Sequence, residues 1–305
     1  MMGTMRRSKL NESENDRLTR IKRRVVIALF SDDELLDRLV LKGGNALDLA
    51  HHATTRASVD LDFSMESAFP KDELGSIRDR IERRLHQAFL PEGLKVFDIV
   101  LKEAIENVTD DLKDFWGGYV LEFRLIDAKM SDELGANLED IRRQAIPVGL
   151  RNNTRFRVDI SKYEYCDGKQ ISDFDGYTIY VYTLEMIVCE KLRAICQQTD
   201  EYRLLVKKQH AAARARDFLD IYSTIQQFSI DLTAPKNLDL LENVFKAKRV
   251  PLHLLDVFQT QRDFHRQDWP AVKDAVRPGV PLQLFDFYFD YVVDLCQQLK
   301  PARDE

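Results

Sequence analysis

The sequence predicts an α/β fold, with a small mixed sheet and its helices up to residue 182 and a helical domain over 183–305. Up to residue 182, short runs alternating between apolar and polar residues are interleaved with apolar stripes at helical spacing. At Thr183-Leu-Glu the period of two gives way to 3.6, which persists nearly to the last residue. Within 39–63, a strand, a Gly43-Gly44 turn, a helix and a second strand carrying Asp60-Leu-Asp62 follow one another.

Taken in order, Leu18, Ile21, Val25, Ala28 and Leu29 mark a first helix beginning near residue 11, and Ser31-Asp-Asp-Glu34 has the form of a capping box that opens the next. A buried strand at 39–41 leads through the two glycines into a helix at 45–52, with Asn45 as its cap. In the strand at 59–63, Asp60 and Asp62 share one face, while Val59, Leu61 and Phe63 share the other. Leu74, Ile77, Ile81, Leu85 and Phe89 form one stripe of a helix over 70–90, closed by Pro91-Glu-Gly93. Strands at 95–101 and 118–126 read as a hairpin with a long connection, and a short helix follows at 131–144.

The strand at 155–160 turns Phe156, Val158 and Ile160 one way and Arg155, Arg157 and Asp159 the other. A strand at 177–182 closes the α/β part. In the helix at 184–197 the stripe of Leu184, Ile187, Val188, Leu192 and Ile195 carries Lys191 on its inward side, with Glu190 and Arg193 read as surface. In the helix at 211–228, Asp217 lies on the stripe of Ala213, Ile221 and Thr224. Residues 230–305 read as amphipathic helices punctuated by Pro251, Pro270 and Pro281, with an aromatic-rich last helix at 282–299 and no residue singled out for function.

With 305 residues, 44% of them apolar, the chain can bury the core of one large or two ordinary domains. No apolar run approaches the length of a membrane span, so the expected location is cytoplasmic, with no membrane partner. Cys166, Cys189, Cys196 and Cys296 lack metal-binding spacing and read as buried thiols. A net charge of −6 argues against indiscriminate binding of nucleic acid. Two local runs contain no acid, however: Arg142, Arg143, Arg151, Arg155 and Arg157 in one, and Arg203, Lys207, Lys208, Arg214 and Arg216 in the other. Each is a solvated face in the bland reading and a basic surface in the functional one.

The chemistry concentrates on the first strand pair. Carboxylates on alternate residues of a strand reach metal ions spaced as in a two-metal site, and their hard oxygens suit Mg²⁺ or Mn²⁺ bound with a nucleoside triphosphate (NTP). Gly43 and Gly44, lacking Cβ atoms, let backbone N–H groups approach the phosphates at a helix start. Asp159 is the third carboxylate candidate, with Glu122 in reserve; its bland reading is an ordinary edge-strand aspartate. An inward-facing Lys191 needs a counter-charge, either the triphosphate or Asp217. Ser58, two residues before Asp60, shares its side if the strand reaches back that far, and an acidic group there would crowd the metal ligands.

Strand, Gly-Gly, helix and Asp-x-Asp in this order resemble the DNA polymerase β-like nucleotidyltransferases. Leu41-Lys-Gly-Gly-Asn-Ala-Leu47 with Arg56-Ala-Ser-Val-Asp-Leu-Asp-Phe63, followed by Glu190-Lys-Leu-Arg-Ala194 and Arg216-Asp-Phe-Leu-Asp220, is similar to one branch, the AbiEii/AbiGii toxins of abortive-infection and toxin–antitoxin systems. The resemblance implies a polymerase β-like core, with Gly43, Gly44, Asn45, Ser58 and Lys191 around the nucleotide and Asp60, Asp62 and Asp159 on metal. It places Asp217 in the active site too. Asn45 departs from the Thr or Ser usual after the glycines. Transfer of a nucleoside monophosphate (NMP) to RNA, the 3′ end of tRNA above all, and a cognate antitoxin partner are likewise implied. A protein or small-molecule acceptor, and a catalytically silent nucleotide-binding regulator, remain open alternatives.

Overall fold

A computed structural model describes residues 14–53, 60–105, 108–148, 153–207, 211–277 and 279–303. Its centre is a seven-stranded mixed sheet in the order β3-β4-β5-β2-β1-β7-β6. The strands are β1 (Val40–Lys42), β2 (Leu61–Ser64), β3 (Leu94–Glu103), β4 (Gly118–Asp127), β5 (Phe156–Ser161), β6 (Gln170–Phe174) and β7 (Tyr177–Val181). β1 runs antiparallel to β2 and parallel to β7, while β2 runs parallel to β5. The α/β reading therefore holds, and β3 and β4 form the expected antiparallel pair.

The helices Glu14–Phe30 and Leu74–Phe89 cover one face of the sheet. Ile77, Ile81, Leu85 and Phe89 are all buried there, as their four-residue spacing requires. The second helix of the chain, Asp33–Arg38, is capped by Asp32, whose carboxylate accepts from the Leu35 N–H, and not by Ser31. Ser31 donates to the Ala28 carbonyl, so its hydroxyl closes the preceding helix.

Beyond β7 the chain is helical: Leu184–Cys196 and Ala215–Phe228 form an inner layer, with Pro235–Ala247 and Phe285–Arg303 outside it. A second core gathers here around Phe218, Phe245, Phe258, Phe285 and Phe289, and the aromatic residues of the last helix pack into it. The four cysteines are buried, and none is in a disulfide. Among the described residues, no helix is long and apolar enough to cross a membrane.

Candidate active site

The Leu184–Cys196 helix positions the site because it has no solvent face. It is wedged between the sheet and the helical layer, and every residue from Met186 to Cys196 is buried except Glu190, which is half-buried. Arg193, read from the sequence as surface, therefore points inward. Nine apolar residues in a 13-residue helix made a stripe wider than one face, and that width was the available signal.

A cleft of about 340 Å³ lies between this helix, the ends of β1, β2, β4 and β5, and the start of the Ala215–Phe228 helix. Gly43, Gly44, Asp60, Asp62, Asp159, Lys191 and Asp217 all line it. Gly43 has φ +68°, and a Cβ there would stand 3.2 Å from the Asp62 carboxylate oxygen Oδ2. The backbone thus passes directly over the acid, where a side chain has neither the conformation nor the room.

Asp62 lies opposite Asp159 in the β2–β5 register. Asp60 sits just ahead of β2, exposed, so the strand begins two residues later than its alternation suggested. Burial, outweighing the pull of Lys42, and then the nearby Asp159, Asp60 and Glu190 push the Asp62 carboxyl up to about 6. That excess of negative charge on hard oxygen donors suits a divalent cation. Asp159 is held in a two-pronged ion pair by Arg157, with Nη2 to Oδ1 at 2.6 Å and Nε to Oδ2 at 2.9 Å. Among the described residues no three His, Cys, Asp or Glu side chains converge as a metal group.

Asn45 is placed differently from a cap. The helical turn begins two residues earlier, at Gly43, and the fully buried Asn45 donates its amide to the Asp60 carbonyl, fixing the segment that carries the acids. Ser58 and Arg56 lie outside the described residues.

Lys191 is buried with its ammonium 2.8 Å from both Asp217 and Asp220. Burial alone would raise the Asp217 carboxyl, but Lys191, Arg214 and Arg216 hold it well below the usual carboxylate range. Asp220 joins this group because it follows Asp217 by three residues on the same helix face.

Beneath the cleft is a second charge group that sequence reasoning missed. Glu164, just after β5, is buried with three cations around it: Arg193 at 3.1 Å, Lys42 at 3.5 Å and Lys248 at 3.5 Å. They overcome its burial and draw the carboxyl down to about 2. Lys42 also approaches Glu190 at 3.6 Å and donates to the Ser161 hydroxyl. Burial favours loss of its proton, yet the two glutamates leave its pKa raised. Lys248, at the end of the Pro235–Ala247 helix, has its pKa lowered by burial to about 8. It donates to the carbonyls of Phe115 and Lys162. A lysine inside a buried three-residue strand was the one sequence signal for Lys42; Lys248 gave none, since its partners are remote in the chain.

The family model described as "Nucleotidyl transferase AbiEii toxin, Type IV TA system" matches residues 24–291. The chain belongs to this family. It is therefore a toxin-type nucleotidyltransferase of a toxin–antitoxin system, and an antitoxin is its partner by family. No curated protein matches the sequence. Among solved structures, the chain is similar to a provisionally assigned nucleotidyltransferase of H. pylori (18% identity, 93% of this chain and 96% of that one, TM-score 0.48). It is also similar to the antibiotic-resistance factor ANT(2'')-Ia (11% identity, 78% and 95%, TM-score 0.33). A third likeness is to an antigenic nucleotidyltransferase-like protein from Paracoccidioides brasiliensis (12% identity, 75% and 92%, TM-score 0.32).

Proposed function

We propose that this family member transfers NMP from an NTP to the terminal hydroxyl of an RNA, the 3′ end of tRNA being the acceptor its family resemblance implies, and that its antitoxin relieves the resulting growth inhibition. The hydroxyl oxygen attacks the α-phosphorus in line, the bond from that phosphorus to the β-phosphate bridge breaks, and pyrophosphate leaves. The observation that carries this reading is the register of Asp62 against Asp159 beneath the Gly43 backbone, which supports a phosphate seat and its metal ligands within one cleft.

In this reading Asp60, Asp62 and Asp159 hold Mg²⁺ or Mn²⁺, with Asp159 exchanging Arg157 for the cation. A divalent ion there supplies charge neutralisation of the triphosphate and polarises its α-phosphate. Gly43 and Gly44 bring backbone N–H groups close to the phosphates, while Asn45 acts indirectly, by holding Asp60. Asp217 and Asp220 fix the Lys191 ammonium at the cleft wall, where it faces the leaving pyrophosphate with Arg214 and Arg216. The change of pattern at residue 183 marks the start of a helical domain that closes the cleft. The test is incubation with each of four α-labelled NTPs, Mg²⁺ and total cell extract, followed by RNase or protease. We expect label that is lost to RNase, survives protease and does not form in EDTA. Label lost only to protease would transfer the reading to a protein acceptor, and no label with any NTP would refute it.

A further inference from the structure

Arg142, Arg155 and Arg157 of the arginine run lie on the face of the sheet that adjoins Asp159. There β3, β4 and β5 present an open surface in which height separates the charges. Glu122 and Asp98 lie low, with side chains 16% and 19% exposed, whereas Lys102 and Arg155 rise above them at 54% and 57%. One carboxylate, Glu122, serves both cations, at 3.8 Å from Lys102 and 3.5 Å from Arg155. Asp98 lies beneath Arg142 at 2.7 Å, with Arg124, no more exposed than Asp98 itself, beside it at 3.4 Å. Over Glu122, an anion approaching from solvent meets Lys102 and Arg155 first. Asp159 and Arg157 of β5 and Arg155 just before it share this face by their spacing of two, which sets the two arginines about 6.6 Å apart on the way out of the cleft.

A chain of net charge −6 repels polyanions as a whole, so an acceptor with a phosphodiester backbone needs a local cationic path to reach a cleft lined with carboxylates. We propose that the outward face of β3–β5 is that path: the acceptor's terminal hydroxyl lies at Asp159, and its preceding phosphates run over Arg157 to Arg155 and Lys102. The charges commit the surface to a polynucleotide. The proposal rests on the nucleotidyl-transfer reading above and names where its substrate lies.

The probe is unfractionated tRNA, titrated against the full-length protein from 50 to 200 mM KCl, beside separate binding of Mg²⁺ and a non-hydrolysable NTP. Each phosphate contact to a single strand contributes about 0.7 to the slope of log affinity against log salt. Lys102→Gln/Arg155→Gln should therefore reduce the slope by about 1.4 and lower RNA affinity roughly 20-fold at 0.1 M salt, with the NTP analogue still bound. Lys102→Glu/Arg155→Glu should weaken RNA further. If that reversal does not fold, the Gln pair alone decides, with thermal melting as the check. Lys246→Glu/Lys273→Glu, an equal change of charge elsewhere, should leave RNA binding as in wild type. Wild-type affinity and slope in the Gln pair overturn the proposal, as does an equal loss in the control. Label passing to protein in the wild type overturns it through the underlying reading, a failure visible without any variant.

Discussion

Glu164→Gln removes one charge and almost no volume, yet it takes a buried anion away from Arg193, Lys42 and Lys248, leaving the half-buried Glu190 to Arg193 and Lys42. The Glu164 carboxyl is drawn from its ordinary 4.5 to about 2. A shift of that size corresponds to about 3 kcal/mol of folding stability at neutral pH. Breaking a buried ion network by removing one partner typically costs about 3–5 kcal/mol, which agrees. The folded-state pKa is depressed, so the stabilisation is complete above the unfolded value and is lost as pH falls from about 4.5 towards 2. Urea unfolding should show a gap of about 3 kcal/mol between wild type and Glu164→Gln at pH 7.5, shrinking to about half near pH 3. A gap under about 1 kcal/mol at pH 7.5, or one of equal size at both pH values, would refute the assignment of Glu164 as the charge hub.

Three further outcomes follow from the cleft. Asp62→Asn should abolish transfer without lowering the thermal midpoint measured in EDTA, because it relieves a carboxyl that burial and its acidic neighbours disfavour; a marked loss of midpoint would make Asp62 structural. Lys191→Met removes the cation that Asp217 and Asp220 share and should cost about 3–5 kcal/mol in urea unfolding, while adding Asp217→Asn and Asp220→Asn should restore stability but not transfer. Recovery of transfer in the triple variant would remove Lys191 from the chemistry. Gly43→Ala forces a side chain into left-handed backbone against Asp62, at about 1–2 kcal/mol, and should raise KM for NTP; unchanged midpoint and KM would show that the turn relaxes freely.

The sequence made legible what depends on neighbours within a few residues. A short apolar run marked β1, alternation marked β2 and β5, and the inward stripe brought out Lys191 and Asp217. It failed where the deciding partner is distant or the strand is a solvent edge. β6 was missed because most of its residues face water, leaving no clear apolar alternation to detect. The paired glycines start the helical turn themselves, which moved Asn45 from cap to buried brace. The Glu164 group was invisible because Lys42 and Lys248 meet it only after the sheet and the helical layer come together.

That last feature bears on how the molecule is made. About 200 residues separate Lys42 from Lys248, and a ribosome adding about 5–20 residues per second needs roughly 10–40 seconds to span them. During that interval the emerging chain already carries Asp60, Asp62 and, later, Asp159, but the cations that gather around Glu164 are incomplete. Residue 248 delivers the last of them. A toxin-type nucleotidyltransferase thus completes the base of its cleft late in synthesis, only once residue 248 has been added.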